Sequence, residues 1–219
     1  MGRLFTKNKA LYLITDRLIS GLTHTEIARQ AIAAGVRAIQ LREKHMSKRE
    51  IFKEALSLIK LFSKYRVLFI INDYVDIALA ADAHGVHLGQ EDMPLREARR
   101  ILGKDKIIGI STHSLREALE AEREGASYIG FGPIFHTTTK DAGEPKGIDA
   151  LREIKKYIKI PVVAIGGIAP ENARQVLEAN ADAIAVASGI LSRYGSTPGG
   201  DIKTNAKRFL KIIKEVRRT

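Results

Sequence analysis

The 219-residue chain contains no cysteine and no tryptophan. The first absence excludes disulfides and thiolate metal centres and fits a reducing compartment. The second removes one of the aromatic platforms on which single-stranded nucleic acids stack. No apolar run approaches the ~20 residues that span a bilayer, and the segment Met1 to Lys9 lacks the apolar stretch of a secretory signal. A cytoplasmic protein without a membrane partner is expected. No Gly-x-Ser-x-Gly elbow, Walker loop or dinucleotide fingerprint is found, which weakens hydrolase, ATPase and dehydrogenase readings. With no linker or low-complexity tract either, residues 1–219 are read as one domain.

What the chain does have is positive charge, 36 Lys and Arg against 25 Asp and Glu, for a net of +11. Such an excess suits either an RNA-binding surface or a pocket for anionic substrates. The basic residues are densest from Lys203 to Arg218, where Phe209, Leu210, Ile212, Ile213 and Val216 interleave at helical spacing. That pattern is the solvated face of an amphipathic terminal helix, and no basic cluster with exposed aromatics lies elsewhere. Small anionic ligands are therefore the expected partners, not nucleic acid.

Eight short apolar runs recur: Leu11 to Ile14, Ala38 to Leu41, Leu68 to Ile71, Gly85 to Leu88, Ile107 to Ile110, Tyr128 to Phe131, Val162 to Ile165 and Ala183 to Val186. Each is short, apolar on both faces and often β-branched, as strands covered on both sides of a parallel sheet are. Between them run helical patterns over Thr25 to Ala34, Lys48 to Lys64, Val75 to Ala81, Leu95 to Leu102, Leu115 to Glu124, Ala150 to Tyr157 and Glu171 to Ala179, before the terminal helix. Gly35, Gly103 and Gly125 fall at helix ends, Ser47 with Glu50 and Ser114 with Glu117 have capping-box spacing, and Pro94 and Pro170 suit first turns. Eight such alternations predict an α/β fold, a single-domain (β/α)8 TIM barrel. The competing doubly wound sheet carries a glycine fingerprint after its first strand, where this chain has Thr15-Asp-Arg17.

In a barrel all strand ends point to one rim, so the polar residues that follow the runs converge. Asp73 and Asp92 follow the third and fourth runs. Either acid would serve to cap a helix, but two on adjacent strand ends suggest a Mg²⁺ site, since that cation needs only one or two carboxylates beside a substrate phosphate. Alternation places Gln40, Arg42 and Lys44 on one side and Leu41 and Glu43 on the other. A guanidinium beside an ammonium suits a pyrophosphate, and Lys140 adds a cation from the long connection Gly132 to Gly147, read as a lid. The connection Gly189 to Asp201 is a second long loop. Gly166-Gly167 and Ala187-Ser188-Gly189 follow the seventh and eighth runs, the usual barrel position for phosphate. The histidines have no HExxH-type spacing. His87, inside an apolar run, reads as a packed core residue, whereas His113 lies beyond the fifth run as an acid/base candidate.

The ordered set Gln40-Leu-Arg-Glu-Lys44, Ile71-Asn-Asp73, Gly85 to Asp92, Gly109-Ile-Ser-Thr-His113, Gly130 to Lys140, Pro145-Lys-Gly147 and Gly166-Gly-Ile168 closely resembles the thiamine-phosphate synthase family, from Leu11 to about Leu191. The resemblance implies a Mg²⁺-dependent transferase. It would join hydroxymethylpyrimidine diphosphate to a thiazole phosphate, carboxylated or not, giving thiamine monophosphate and pyrophosphate. It places Gln40, Arg42, Lys44, Asn72, Ser111 and Lys140 around the pyrimidine diphosphate, with Arg42, Lys44, Ser111 and Lys140 as the catalytic set. Asp73 and Asp92 would hold Mg²⁺, and Thr137, Thr139, Gly167, Ala187 and Ser188 would surround the thiazole phosphate. Leu41, Glu43 and Thr138 join the substrate-binding segments with their neighbours. His136 stands where many members have proline, and Tyr74 follows Asp73 where the family varies. A related thiazole tautomerase is the runner-up, followed by a catalytically silent barrel that binds phosphate ligands or RNA. A homo-oligomer is compatible with the sequence.

Overall fold

The computed structural model describes residues 9–137, 139, 143–192 and 201–217. Its eight strands are β1 (Ala10–Thr15), β2 (Ala38–Leu41), β3 (Leu68–Asn72), β4 (Gly85–Leu88), β5 (Ile107–Thr112), β6 (Tyr128–Phe131), β7 (Val162–Ile165) and β8 (Ala183–Val186). All neighbours pair in parallel in sequence order, and β8 closes on β1. The helices described are α1 (Arg17–Ser20), α2 (His24–Ala34), α3 (Lys48–Phe62), α4 (Val75–Ala80), α5 (Leu95–Leu102), α6 (Leu115–Arg123), α7 (Gly147–Tyr157), α8 (Pro170–Glu178), α9 (Ser188–Leu191) and α10 (Ile202–Val216).

Strand alternation divides the apolar residues into two layers. Leu11, Leu13, Ile39, Leu41, Phe69 and Ile71 point outward into the shell shared with the helices. Tyr12, Ile14, Ala38, Ile70, Tyr128, Val163, Ala183 and Ala185 fill the barrel itself. Burying each large aliphatic side chain contributes about 1.5–3 kcal/mol, so both layers drive closure. Gly109 is required inside: a Cβ there would stand 2.1 Å from Tyr128 Cζ, so only glycine leaves room for the tyrosine ring.

The helix boundaries follow local chemistry. Ser47 and Glu50 form the reciprocal capping box expected, as do Thr23 and Glu26. Ser114 accepts from Glu117 N, but the Glu117 carboxylate takes His113 N instead of completing the box. Pro170 begins α8, whereas Pro94 is the residue before α5. Gly35, Gly103 and Gly125 all have positive φ. Two four-residue helices, α1 and α9, escape the periodicity because one turn shows no repeat. α10 turns Ile202, Ala206, Phe209 and Ile213 inward, packs on α2 and α8, and leaves Lys203, Lys207 and Lys211 exposed. No described helix is long and apolar enough to cross a membrane.

Candidate active site

The C-terminal ends of the strands enclose a cavity of about 610 Å³. Its floor is the polar part of the barrel interior. Gln40 Nε2 donates to the Tyr12 hydroxyl at 2.8 Å, and Tyr12 and Tyr128 hydroxyls lie 3.1 Å apart. Tyr128 meets His87 Nδ1 at 2.9 Å, and His87 Nε2 meets Ser111 Oγ at 2.9 Å. Burial raises the pKa of both tyrosines, so both stay protonated. An amide nitrogen can only donate, so a consistent arrangement passes hydrogen bonds from Gln40 through Tyr12, Tyr128 and His87 to Ser111. Its outcome is a Ser111 hydroxyl proton left to point into the cavity. His87 is thus buried as expected, but inside the barrel and within a polar chain instead of an apolar core. Tyr12 and Tyr128 were missed at the sequence level, since nothing in an apolar run marks which tyrosine turns inward.

One wall carries charge. Arg42 pairs with Asp16 at 2.6 Å, and Lys44 with Asp73 at 2.5 Å. Asp16 is also the N-cap of α1, accepting from Leu18 and Ile19 N, which holds the carboxylate that holds Arg42. Asp73 adopts left-handed backbone, φ 63°, at the tip of β3, and its carboxyl is close enough to Asp92 to feel that charge. Burial raises the Asp73 pKa, with Asp92 pushing the same way and Lys44 opposing. Asp92 Oδ2 accepts Gly89 N at 2.6 Å. Neither aspartate caps the following helix: α4 and α5 have no side-chain cap from Tyr74 or Pro94. The capping alternative therefore falls away.

Asn72, His113, Thr137 and Thr139 also line the cavity, and Gly167, Ala187 and Ser188 close its far side. Gly167 has φ 63° and lies under the loop after β6, where a Cβ would come within 2.4 Å of His136 O. His113 Nδ1 donates to Gly132 O at 2.7 Å, which leaves Nε2 as its other polar atom at the cavity. Two expected residues are placed elsewhere. Leu41 is buried in the outer shell, and Glu43 turns beneath the loop to His24, 3.2 Å away, because successive side chains of an extended segment point to opposite sides. Thr138 and Lys140 lie outside the described residues. Among the described residues no group of three or more His, Asp or Glu stands together as a metal cage; Asp73, Asp92 and Glu91 are the acidic residues that line the cavity.

Comparison with known proteins decides the family. The profile described as thiamine monophosphate synthase matches residues 11–190. The chain belongs to the thiamine monophosphate synthase family. It is 49% identical to the thiamine-phosphate synthase of Clostridium acetobutylicum, over 94% of this chain and 95% of that one. Against the enzyme of the same name from Chloroflexus aurantiacus it is 50% identical, over 94% and 93%. The solved structure of thiamine phosphate pyrophosphorylase from Pyrococcus furiosus superposes with a TM-score of 0.85 at 42% identity, covering 94% and 96%. These relatives make the chain a transferase of thiamine biosynthesis and do not favour the tautomerase or silent-barrel readings.

Proposed function

We propose that the cavity binds hydroxymethylpyrimidine diphosphate against the charged wall and a thiazole phosphate, carboxylated or not, against the β7 and β8 ends. The products are thiamine monophosphate and pyrophosphate. The observation that carries this reading is the convergence of Arg42 and Lys44 with the carboxylates of Asp73 and Asp92 on one wall, opposite the small residues Gly167, Ala187 and Ser188.

Asp73 and Asp92 fit Mg²⁺. Asp73, whose pKa is raised by burial and by the charge of nearby Asp92, forms with it an oxygen donor pair whose repulsion a divalent cation would relieve. When bound, Mg²⁺ supplies positive charge to the diphosphate oxygens. The protein residues do the remaining work. Arg42 and Lys44, with Lys140 as the third cation, stabilise the negative charge that builds on the diphosphate as its C–O bond breaks. The electron pair of that bond leaves with pyrophosphate, the electron-rich pyrimidine supports the cationic methylene, and the thiazole nitrogen lone pair forms the new C–N bond. No protein nucleophile is needed. Gln40, Asn72 and the inward proton of Ser111 are polar partners for the pyrimidine end. Thr137, Thr139, Gly167, Ala187 and Ser188 offer hydroxyls and close backbone approach to the thiazole phosphate.

The same reading makes the chain a cytoplasmic enzyme whose partners are small molecules, with a homo-oligomer compatible. Mg²⁺ titrations of turnover test the metal assignment. Asp92→Asn should need much more Mg²⁺ for half-maximal rate than the unmodified chain, and identical curves would overturn it.

A further inference from the structure

The side chains of Arg42 and Lys44 are each paired with an acid, and behind the segment that carries them runs a buried polar chain. Thr15 and His24 are fully buried and Glu43 is 8% exposed; none of the three lines the cavity. Glu43 Oε1 accepts its own loop's His45 N at 2.8 Å, and Oε2 faces His24 Nε2 at 3.2 Å. On the other side of the ring, His24 Nδ1 lies 2.8 Å from Thr15 Oγ1. Thr15 Oγ1 in turn accepts Arg42 N at 3.3 Å and lies 3.1 Å from Gln40 O.

The chain begins and ends on the same pentapeptide. Glu43 anchors it by its side chain, and Arg42 and Gln40 anchor it by their backbone. Between them stand one residue of α2 and one of β1. Burial lowers the His24 pKa, and Glu43, whose own pKa is lowered by its hydrogen bonds despite burial, is a carboxylate. Nε2–H then donates to Glu43, Nδ1 accepts the Thr15 hydroxyl, and Thr15 keeps lone pairs for Arg42 N–H. With the imidazole neutral, the single Thr15 hydroxyl proton is shared between Nδ1 and Gln40 O.

We infer that His24, with Thr15 and Glu43, is a positioning residue that holds Arg42 and Lys44 in register with the diphosphate site. The inference rests on the proposed placement of the diphosphate. A buried ring that merely filled space would affect stability; a ring that orients the cations affects the affinity of the group they bind. Displacing a binding group by about 1 Å can cost up to about a hundredfold.

The experiment uses the full chain and inorganic pyrophosphate with Mg²⁺, measured by calorimetry, alongside steady-state kinetics. His24→Leu keeps apolar volume and removes both ring contacts. In folded, cooperatively melting protein it should weaken pyrophosphate binding and raise KM for the pyrimidine diphosphate about tenfold, leaving KM for the thiazole phosphate within about twofold. His24→Gln, which can still reach Glu43, should recover part of the loss. Thr15→Val, nearly isosteric, breaks the chain at its other end and should give the same split. It carries the test if His24→Leu does not fold. Binding that is unchanged in Thr15→Val and in folded His24→Leu overturns the inference alone. An unmodified chain that binds no pyrophosphate overturns the underlying placement as well.

Discussion

Lys44 Nζ lies 2.5 Å from Asp73 Oδ2, so a cation proposed for the diphosphate is held by a carboxylate proposed for Mg²⁺. Arg42 is held the same way by Asp16. Both cations are thus held by acids with which a bound polyanion would compete, and each pair lessens the cost of desolvating its two charges.

If Asp73 holds Mg²⁺ as proposed, it serves function at the expense of stability. Its charged form is disfavoured by burial and by Asp92, while its φ of 63° is one that asparagine tolerates well. Asp73→Asn should melt no lower than the unmodified chain yet lose on the order of a hundredfold in turnover. A lower melting temperature with retained rate in thermal and kinetic assays would contradict this.

Lys44→Ala removes a charge proposed to stabilise the departing pyrophosphate. Single-turnover product formation at saturating substrates should slow by about a hundredfold, equivalent to about 3 kcal/mol of transition-state stabilisation. A rate near that of the unmodified chain would remove Lys44 from the catalytic set.

Gly167→Ala should damage the phosphate side specifically. The left-handed φ and the 2.4 Å approach of a Cβ to His136 O both oppose a side chain, a strain of about 1–3 kcal/mol. The loops after β6 and β7 must separate, so KM for the thiazole phosphate should rise more than KM for the pyrimidine diphosphate. Equal effects on both constants in steady-state kinetics would place Gly167 away from that phosphate.

His84 makes stability depend on pH. Its Nδ1 accepts Phe69 N–H at 3.1 Å, and burial, then the Lys106 charge, lowers its pKa from 6.5. Below about pH 6.5 the unfolded imidazole binds a proton while the folded one still does not. Stability is therefore complete above that pH and falls as pH drops, until the folded ring also protonates. His24 acts with the same sign. Urea midpoints measured from about pH 7.5 to 5.5 should fall for the unmodified chain and fall less for His84→Leu; equal slopes would deny His84 this role.

The barrel was legible in the sequence because parallel strands covered on both sides leave compact β-branched runs, and because several of them are followed by charged or hydroxyl-bearing residues at the same rim. That spacing singles out Asp73, Asp92, Arg42 and Lys44, which the structure brings to one cavity. The inward tyrosines were not, since a tyrosine in an apolar run looks the same whether it faces helix or barrel axis. Glu43 shows the opposite error. Alternation turns it away from Arg42 and Lys44, and taking the whole motif as substrate-binding set that periodicity aside. α1 and α9 are too short to leave a repeat, although Asp16, the N-cap of α1, positions Arg42.

The most direct measurement supplies purified hydroxymethylpyrimidine diphosphate and thiazole carboxylate phosphate, together and separately, with and without Mg²⁺, and follows all products by NMR. Thiamine monophosphate and pyrophosphate should form in equal amounts, only when both substrates and Mg²⁺ are present. Interconversion of thiazole tautomers without Mg²⁺, with neither thiamine monophosphate nor pyrophosphate formed, would contradict this and make His113, whose Nδ1 is fixed by Gly132 O, the leading catalytic group.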